Sequence, residues 1–477
     1  FGLTGRFYDF KDMPFDFNPN RQIYSMLIAR GMYYENLQDV PADRRDLAVL
    51  QWKSEGQIEP PIMERLSAWG YRLVGTDDLR IPRFLSIFFW TVGAIGLLLL
   101  LRDLVGFKGA VIGLAYYLIL PYAVYASRSF QPEPLMIASI IWSWWAMTRW
   151  IKRQTWKSAI LAGLISGLAI YIKLPALFFV LPALIGVMLV KIKIKKLLHE
   201  PQILLIATLT VLPALLYHLY GLFIADFLQS QTNFRFFPEL LTDPFHYLKW
   251  KDYIDKTLGI EFFLMGLLGS LLIKEKAFRV MMLSVFVGYF FYGLFFSYHI
   301  ISHDYYQLPV LPAIAVGLAA IGKTLIDNFN GRKGFALVIL GSLMFFWMSI
   351  NFWDARMTLK HANFQDEPDF YASLGSKLKD YSLVSITPDY GYRLAYWGWK
   401  QSMNWLSVGD FNLRELAGNE IDQEQYFLQV IDHRDLFLVT DFNEFERQPA
   451  VKEILNVNFP IFEEGEGYLI YDLRTSP

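Results

Sequence analysis

Apolar runs of about 18 residues or more recur through the first three quarters of the chain, and each matches the ~30 Å of hydrocarbon that a spanning helix crosses. Short polar stretches separate them. The pattern predicts about ten spans, at roughly 82–102, 108–126, 134–151, 158–172, 175–192, 202–224, 258–273, 279–298, 308–326 and 334–352. The break between the fourth and fifth rests on Lys173-Leu174-Pro175, because proline disfavours a helical residue before it.

Charge orients the spans. Lys and Arg gather at Arg102/Lys108, Arg149/Lys152/Arg153/Lys157, Lys191/Lys193/Lys195/Lys196, Lys274/Lys276/Arg279 and Arg332/Lys333. With ten spans all five clusters fall on one side, which marks that side as cytoplasmic. Residues 1–81, the loops 127–133, 225–257 and 299–307, and everything after about 353 then lie outside. The first residue is Phe1 and polar residues follow, so no signal peptide is visible. A preceding span, an eleventh, is expected to deliver the chain to the outer side.

Three regions follow: an outer first segment 1–81, a membrane body 82–352 and an outer domain 353–477. In the first, Asn18-Pro19 reads as a helix cap with proline at the first helical position, and Ile23, Met26, Leu27 and Gly31 repeat at helical spacing. A second helix starts near Pro60-Pro61 with Ile62, Leu66, Trp69 and Leu73 on one face. Both are expected to be amphipathic helices on the membrane surface. In the last region 382–388, 435–440 and 468–473 read as short buried strands, with helices near 367–379, 412–417, 422–431 and 447–455. The expected fold class is an α-helical polytopic membrane protein with a small C-terminal extracytoplasmic α/β domain.

Composition narrows the function. A mean hydropathy of +0.29 over 477 residues agrees with a membrane protein. A net charge of −1 rules out a globally basic nucleic-acid binder. Without cysteine, disulfides, iron–sulfur clusters and thiolate metal sites are excluded.

Ionisable groups at span mouths are costly and suggest function. Here they collect on the outer side: Asp16, Arg21, Glu59, Arg128, Glu133, Lys173, and His303-Asp304-Tyr305-Tyr306. Asp16, just before a helix N-terminus, reads first as a solvated helix-start acid; it can also stay ionised and accept a proton. Glu59, ahead of two prolines, has the same two readings. Arg128 can pair with a phosphate and Glu133 with a sugar hydroxyl, or the two can pair with each other. Lys173, apolar on both sides, can meet a phosphate or snorkel to a headgroup. His303 and Asp304 are metal-ligand types, but two neighbours make a weak metal signal. Tyr305 and Tyr306 can form a sugar platform or an interfacial belt. His299 reads as structural.

At these residues the chain resembles the GT-C class of membrane glycosyltransferases, in particular the bacterial family-39-like branch related to protein O-mannosyltransferases and the lipid A aminoarabinose transferase. The carriers are "DFNPNRQ" (Asp16, Arg21), Glu59 before prolines, "RIPRFLS" (Arg83), "SRSFQPEP", the Lys173-Leu174-Pro175 break and "HDYYQLPVLPAIAVGLA". One departure stands out: Phe17 follows Asp16 where such proteins more usually carry an Asp-Glu pair.

The resemblance implies a GT-C fold and an inverting transfer of a sugar from a polyprenyl-phosphate donor to a hydroxyl acceptor at the outer face of the plasma membrane. Asp16 and Glu59 would be the catalytic carboxylates. Lys173, Arg128 and Arg21 would bind the donor phosphate, and Glu133, His303, Asp304, Tyr305 and Tyr306 the substrates. Membrane lipids are the other expected partners, and a divalent metal is optional within the class. A flippase of lipid-linked sugars and a non-catalytic membrane subunit are the rival readings.

Overall fold

The computed structural model describes residues 2–191, 199–228, 236–328, 333–361 and 363–474. Phe1, Lys193, Lys195, Lys196 and Arg332 lie outside the described residues, so the clusters they belong to are only partly described. The chain forms two compact units that do not follow its linear order. Unit 1 comprises 1–11, 57–63 and 80–362; unit 2 comprises 12–56, 64–79 and 363–477. Residues 1–81, expected as one outer segment, are thus divided between them.

Unit 1 is helical, and each of the ten apolar runs has a helical counterpart. Length and apolarity qualify fewer of them as spans. Among the described residues Arg80–Val105, Pro201–Phe223, Lys276–Phe295, Asp304–Asn328 and Leu337–His361 can each cross a membrane alone. The run expected as one span at 108–126 is two helices, Phe107–Ile119 and Pro121–Arg128, bent by 62°. Pro121 forces Leu120 out of the helical region, to ψ 126. The bent pair brings the total to six.

Trp156–Ile172, Leu174–Val190 and Ile260–Ser270 are apolar but shorter. The 11 residues of Ile260–Ser270 rise only about 16 Å. That helix packs tightly nonetheless: a Cβ on Gly317 would sit 1.8 Å from the Gly266 carbonyl oxygen, the close backbone approach that small residues permit in membranes. The stretch 225–257, expected outside, holds an unexpected helix, Pro244–Leu258, whose first turn Asp243 caps by accepting from Phe245 N at 2.9 Å.

Unit 2 contains none of these candidate spans. Its sheet comprises β1 (Leu383–Ile386), β2 (Met403–Asn404), β3 (Leu436–Val439), β4 (Ile461–Gly465) and β5 (Tyr468–Asp472) in the order β2-β1-β3-β5-β4. β1 runs parallel to β2 and β3, while β5 is antiparallel to β3 and β4. β1 and β3 are buried throughout. Val384, Ile386, Phe437 and Val439 pack with Trp405, Phe427 and Leu455 on one face. Leu383, Leu436 and Leu438 pack with Tyr371, Leu374 and Leu394 on the other. Helices therefore cover both faces, as a central parallel pair requires.

The early helices complete this unit. The helix Pro19–Tyr34 starts where the Asn18-Pro19 signal places it, but Asn18 adopts φ 44 and gives no side-chain cap. It is not a surface amphipath either, because residues 22–33 are all buried. The reason is Arg30, 1% exposed, which donates to Tyr396 O, to Ala395 O at 3.0 Å and to Gln51 Oε1 at 2.7 Å. Its guanidinium also lies over the Tyr396 and Trp399 rings at 4.2 and 4.0 Å. Gln51 belongs to a further helix, Ala42–Ser54, that the hydrophobic pattern did not disclose. The two helices approach so closely that a Cβ on Gly31 would lie 2.3 Å from Trp52 Cβ. The helix Ile62–Val74 is two-faced, as its sequence pattern predicts. Met63, Ala68 and Tyr71 are buried while Trp69, Leu73 and Val74 form an exposed apolar stripe.

Two predictions follow from unit 2. Arg30→Ala leaves Gln51 Oε1 and the Tyr396 carbonyl unmatched, while Ala395 O keeps its bond from Gln51 Nε2, so unfolding should lose about 3 kcal/mol or more, measured by denaturant titration of the full chain. Burial pushes the Glu55 carboxyl up from 4.5 to about 7, partly offset by a bond from Tyr392. The folded state then holds this proton more tightly than the unfolded state, so stability falls as pH rises through that window. Glu55→Gln should flatten the decline in thermal midpoint between about pH 5 and pH 8.

Candidate functional site

Helix ends in unit 1 bring one group of the predicted residues together. Glu133 opens the helix Glu133–Arg153, where the N-terminal dipole favours a carboxylate. Lys173 closes the helix Trp156–Ile172, where terminal carbonyls favour a cation, and Pro175 enforces the stop. The Lys173 ammonium donates to Glu133 Oε1. Both are buried, at 9% and 2% exposure. Lys173 Nζ also sits 5.1 Å from the centre of the Tyr305 ring, a cation–π contact.

The stretch 299–310 forms the opposite side of this cluster. Asp304 begins the 3-10 helix Asp304–Val310. The Tyr122 hydroxyl faces its carboxylate and lies within electrostatic reach of Glu133 and Tyr305. Tyr306 stacks on Tyr292 at 5.5 Å and on His299 at 5.3 Å, and His299 stacks on His303 at 5.4 Å. His303 Nδ1 shares a 2.8 Å hydrogen bond with Ser302 Oγ. Beneath the stack, Trp250 Nε1 donates to Tyr289 Oη at 2.8 Å, and Tyr289 donates to Gln307 Oε1. Gln307 Nε2 donates to Ile300 O at 3.0 Å. Its polarity is therefore held in order by an aromatic lattice.

Some capacity is left over. Glu133 Oε2 and both polar atoms of the Gln131 side chain are buried with no hydrogen-bond partner among the described residues. Such atoms call for an explanation. Gln131 escaped the sequence reading although it lies within the quoted "SFQPEP"; burial, which one sequence does not display, is its signal. His299, read as structural, joins the stack.

Other predicted residues stand elsewhere. Arg128, read as a phosphate ligand, is 2% exposed, and its two terminal nitrogens donate to Tyr8 O at 2.6 Å and Asp9 O at 2.7 Å. Its fork is committed to holding the N-terminal segment. Arg83 similarly donates to Phe10 O at 2.7 Å. Glu59 lies ahead of the helix Ile62–Val74 and within electrostatic reach of Tyr217.

Asp16 and Arg21 belong to unit 2. Asp16 sits on a turn that Gln22 pins by donating to Pro14 O and Phe17 O, at 3.0 and 2.6 Å. Phe15 anchors the same turn edge-on against Phe364 and Trp397. Arg21 lies 5.3 Å from the Tyr24 ring centre. No set of three or more His, Asp or Glu side chains that could hold a metal ion is found among the described residues.

Against known proteins, residues 59–220 match the family model described as dolichyl-phosphate-mannose-protein mannosyltransferase. No curated protein matches the chain by sequence. Solved structures match it nearly end to end. Apo ArnT from Cupriavidus metallidurans aligns with a TM-score of 0.60 and 12% identity, over 98% of this chain and 96% of ArnT. ArnT bound to undecaprenyl phosphate gives 0.58 and 13%, over 99% and 96%. The oligosaccharyltransferase AglB from Archaeoglobus fulgidus, in complex with an inhibitory peptide and a dolichol-phosphate, gives 0.55 and 11%, over 94% and 70%. The fold is that of the GT-C class of membrane glycosyltransferases, as the resemblance implied.

The buried pair is testable apart from any activity. Lys173→Met strands a buried carboxylate and should cost roughly 3–5 kcal/mol; adding Glu133→Gln should recover much of it, read from unfolding in detergent micelles.

Proposed function

We propose that the chain is an inverting glycosyltransferase that moves a sugar from a polyprenyl-phosphate donor to a hydroxyl acceptor at the outer face of the cell membrane. One observation carries the reading. In a chain with the GT-C fold along nearly its whole length, a buried Lys173–Glu133 pair meets Asp304 and a stack of tyrosines and histidines at the helix ends. The family match, 59–220, spans Glu59, Gln131, Glu133 and Lys173. The undecaprenyl phosphate bound to ArnT and the dolichol-phosphate bound to AglB support a polyprenyl-phosphate carrier here too.

In this reading the acceptor oxygen bonds to the anomeric carbon as that carbon's bond to the phosphate oxygen breaks. Polyprenyl phosphate leaves with the bonding electrons, the configuration inverts, and the hydroxyl proton passes to a carboxylate. We assign that base to Asp16; the assignment rests on the resemblance carried by "DFNPNRQ". Lys173 offsets charge building on the leaving phosphate, an electrostatic contribution that grows in a water-poor site. Glu133 orients Lys173 with one oxygen and keeps the other for a sugar hydroxyl. Tyr305, Tyr306, His303 and Asp304 contact the sugar. Unit 2 is extracytoplasmic.

The test uses the full chain in nanodiscs with synthetic polyprenyl-phosphate sugars, following release of polyprenyl phosphate. Asp16→Asn should lower turnover by about 10²–10⁴ with donor binding kept; undiminished turnover in the folded variant removes Asp16 as the base. Donors that bind but are never turned over by the native chain would replace the transferase reading with that of a carrier.

A further inference from the structure

Unit 2 carries a feature the transfer chemistry does not use. At the carboxyl ends of the parallel strands β1 and β2 lies a cavity of about 200 Å³, lined by Thr387, Asp389, Tyr390, Asn404, Asp441 and Glu444 among others. Its place is informative. β1 sends its chain to β2 on one side, while the chain leaving β2 crosses to β3 on the other side of β1. Open α/β sheets bind ligands in the crevice where the connections part in this way.

The walls are built for a ligand in two independent respects. First, Thr387 is 8% exposed, and its Oγ1, like Oδ1 of Asn404, is buried with no hydrogen-bond partner among the described residues. Asn404 uses only its amide nitrogen, donating to Trp405 O at 2.9 Å. Second, the backbone beyond β1 is strained. Asp389 and Tyr390 adopt φ 53 and φ 57, followed by Gly391 at φ 77. Two consecutive non-glycine residues in the left-handed region are costly and cluster at ligand sites.

The chemistry of the lining selects the ligand. Three carboxylates, Asp389, Asp441 and Glu444, disfavour an anion. None is a bare charge seeking a cation. Asp389 accepts from Arg393 at 2.6 Å, Asp441 from Glu444 N at 3.0 Å, and Glu444 from Val408 N, Gln448 Nε2 and Arg447. Spare carboxylate lone pairs, an unmet amide oxygen and an unmet hydroxyl suit groups that both donate and accept, and Tyr390, 45% exposed, adds an apolar ring face. We propose that this cavity, framed by Thr387, Asn404, Asp389 and Tyr390, is a binding site for a neutral saccharide unit. The site is a sugar-binding subsite of unit 2 and stands on unit 2 alone, whatever chemistry unit 1 performs.

Saturation-transfer difference NMR tests it on the full chain in nanodiscs, free of sugar-based detergent, with D-glucose, D-mannose, D-galactose and N-acetylglucosamine as probes. At least one should show transfer. Thr387→Val, which removes a hydroxyl without a hydrogen-bond partner among the described residues, should keep the thermal midpoint and weaken binding at least tenfold; Asn404→Leu should weaken it similarly. No transfer from any of the four sugars overturns the proposal, and so does binding unchanged in both variants. A signal abolished by Lys173→Ala but kept by Thr387→Val also overturns it, because the sugar then sits in unit 1. No turnover is read, so the transferase proposal can fail without touching this result.

Discussion

A guanidinium taken out of water must find oxygens for its five N–H donors, and much of this structure is arranged around that demand. In unit 1, Arg6 reaches the carbonyls of Leu118 and Ala123, Arg83 reaches Phe10, and Arg128 reaches Tyr8 and Asp9. Three buried arginines thus fix the first ten residues, Arg6 and Arg128 against the bend at Pro121 and Arg83 against the helix Arg80–Val105. Arg128 ends the short helix after that bend, and five residues later Glu133 starts the next one. The clamp on the N-terminal segment therefore also sets where the site carboxylate begins. In unit 2, Arg30 joins an early helix to the last part of the chain in the same way.

The site follows the complementary rule for mixed charges. Lys173 and Glu133 occupy helix ends of opposite polarity, so each is favoured by its own helix before either meets the other. The pair is thereby held in place among buried polar and aromatic side chains. Lys173 meets the Tyr305 ring, and Tyr306 continues the stack to Tyr292 and His299.

Legibility in the sequence tracked how local each cause was. Apolar runs announced the helices, and Lys173-Leu174-Pro175 announced a real break. Leu120-Pro121 carried an equal signal that the length of its apolar run concealed. β1, β3 and β5 showed as apolar runs; β2 has two residues and β4 is acidic and exposed, so neither gave a pattern. The helix Pro19–Tyr34 was visible at Ile23, Met26, Leu27 and Gly31, but Gln22, Ser25 and Arg30 made its other side look solvated. Those side chains are buried because partners outside the helix satisfy them: Gln22 bonds the turn just before it, Ser25 bonds Glu64 at 2.7 Å, and Arg30 bonds Tyr396. Lys173 and Glu133 were both singled out, while their pairing, 40 positions apart, had no sequence trace.

The bond from Arg30 to Tyr396 bridges 366 positions. During biosynthesis the helix that bears Arg30 is made early, and its acceptor emerges only after the whole membrane body. For that interval a cationic, half-built core waits on the ribosome's schedule, exposed to proteases and chaperones. Maturation of unit 2 is consequently gated by completion of the polypeptide, and a truncated nascent product retains an unfinished N-terminal core.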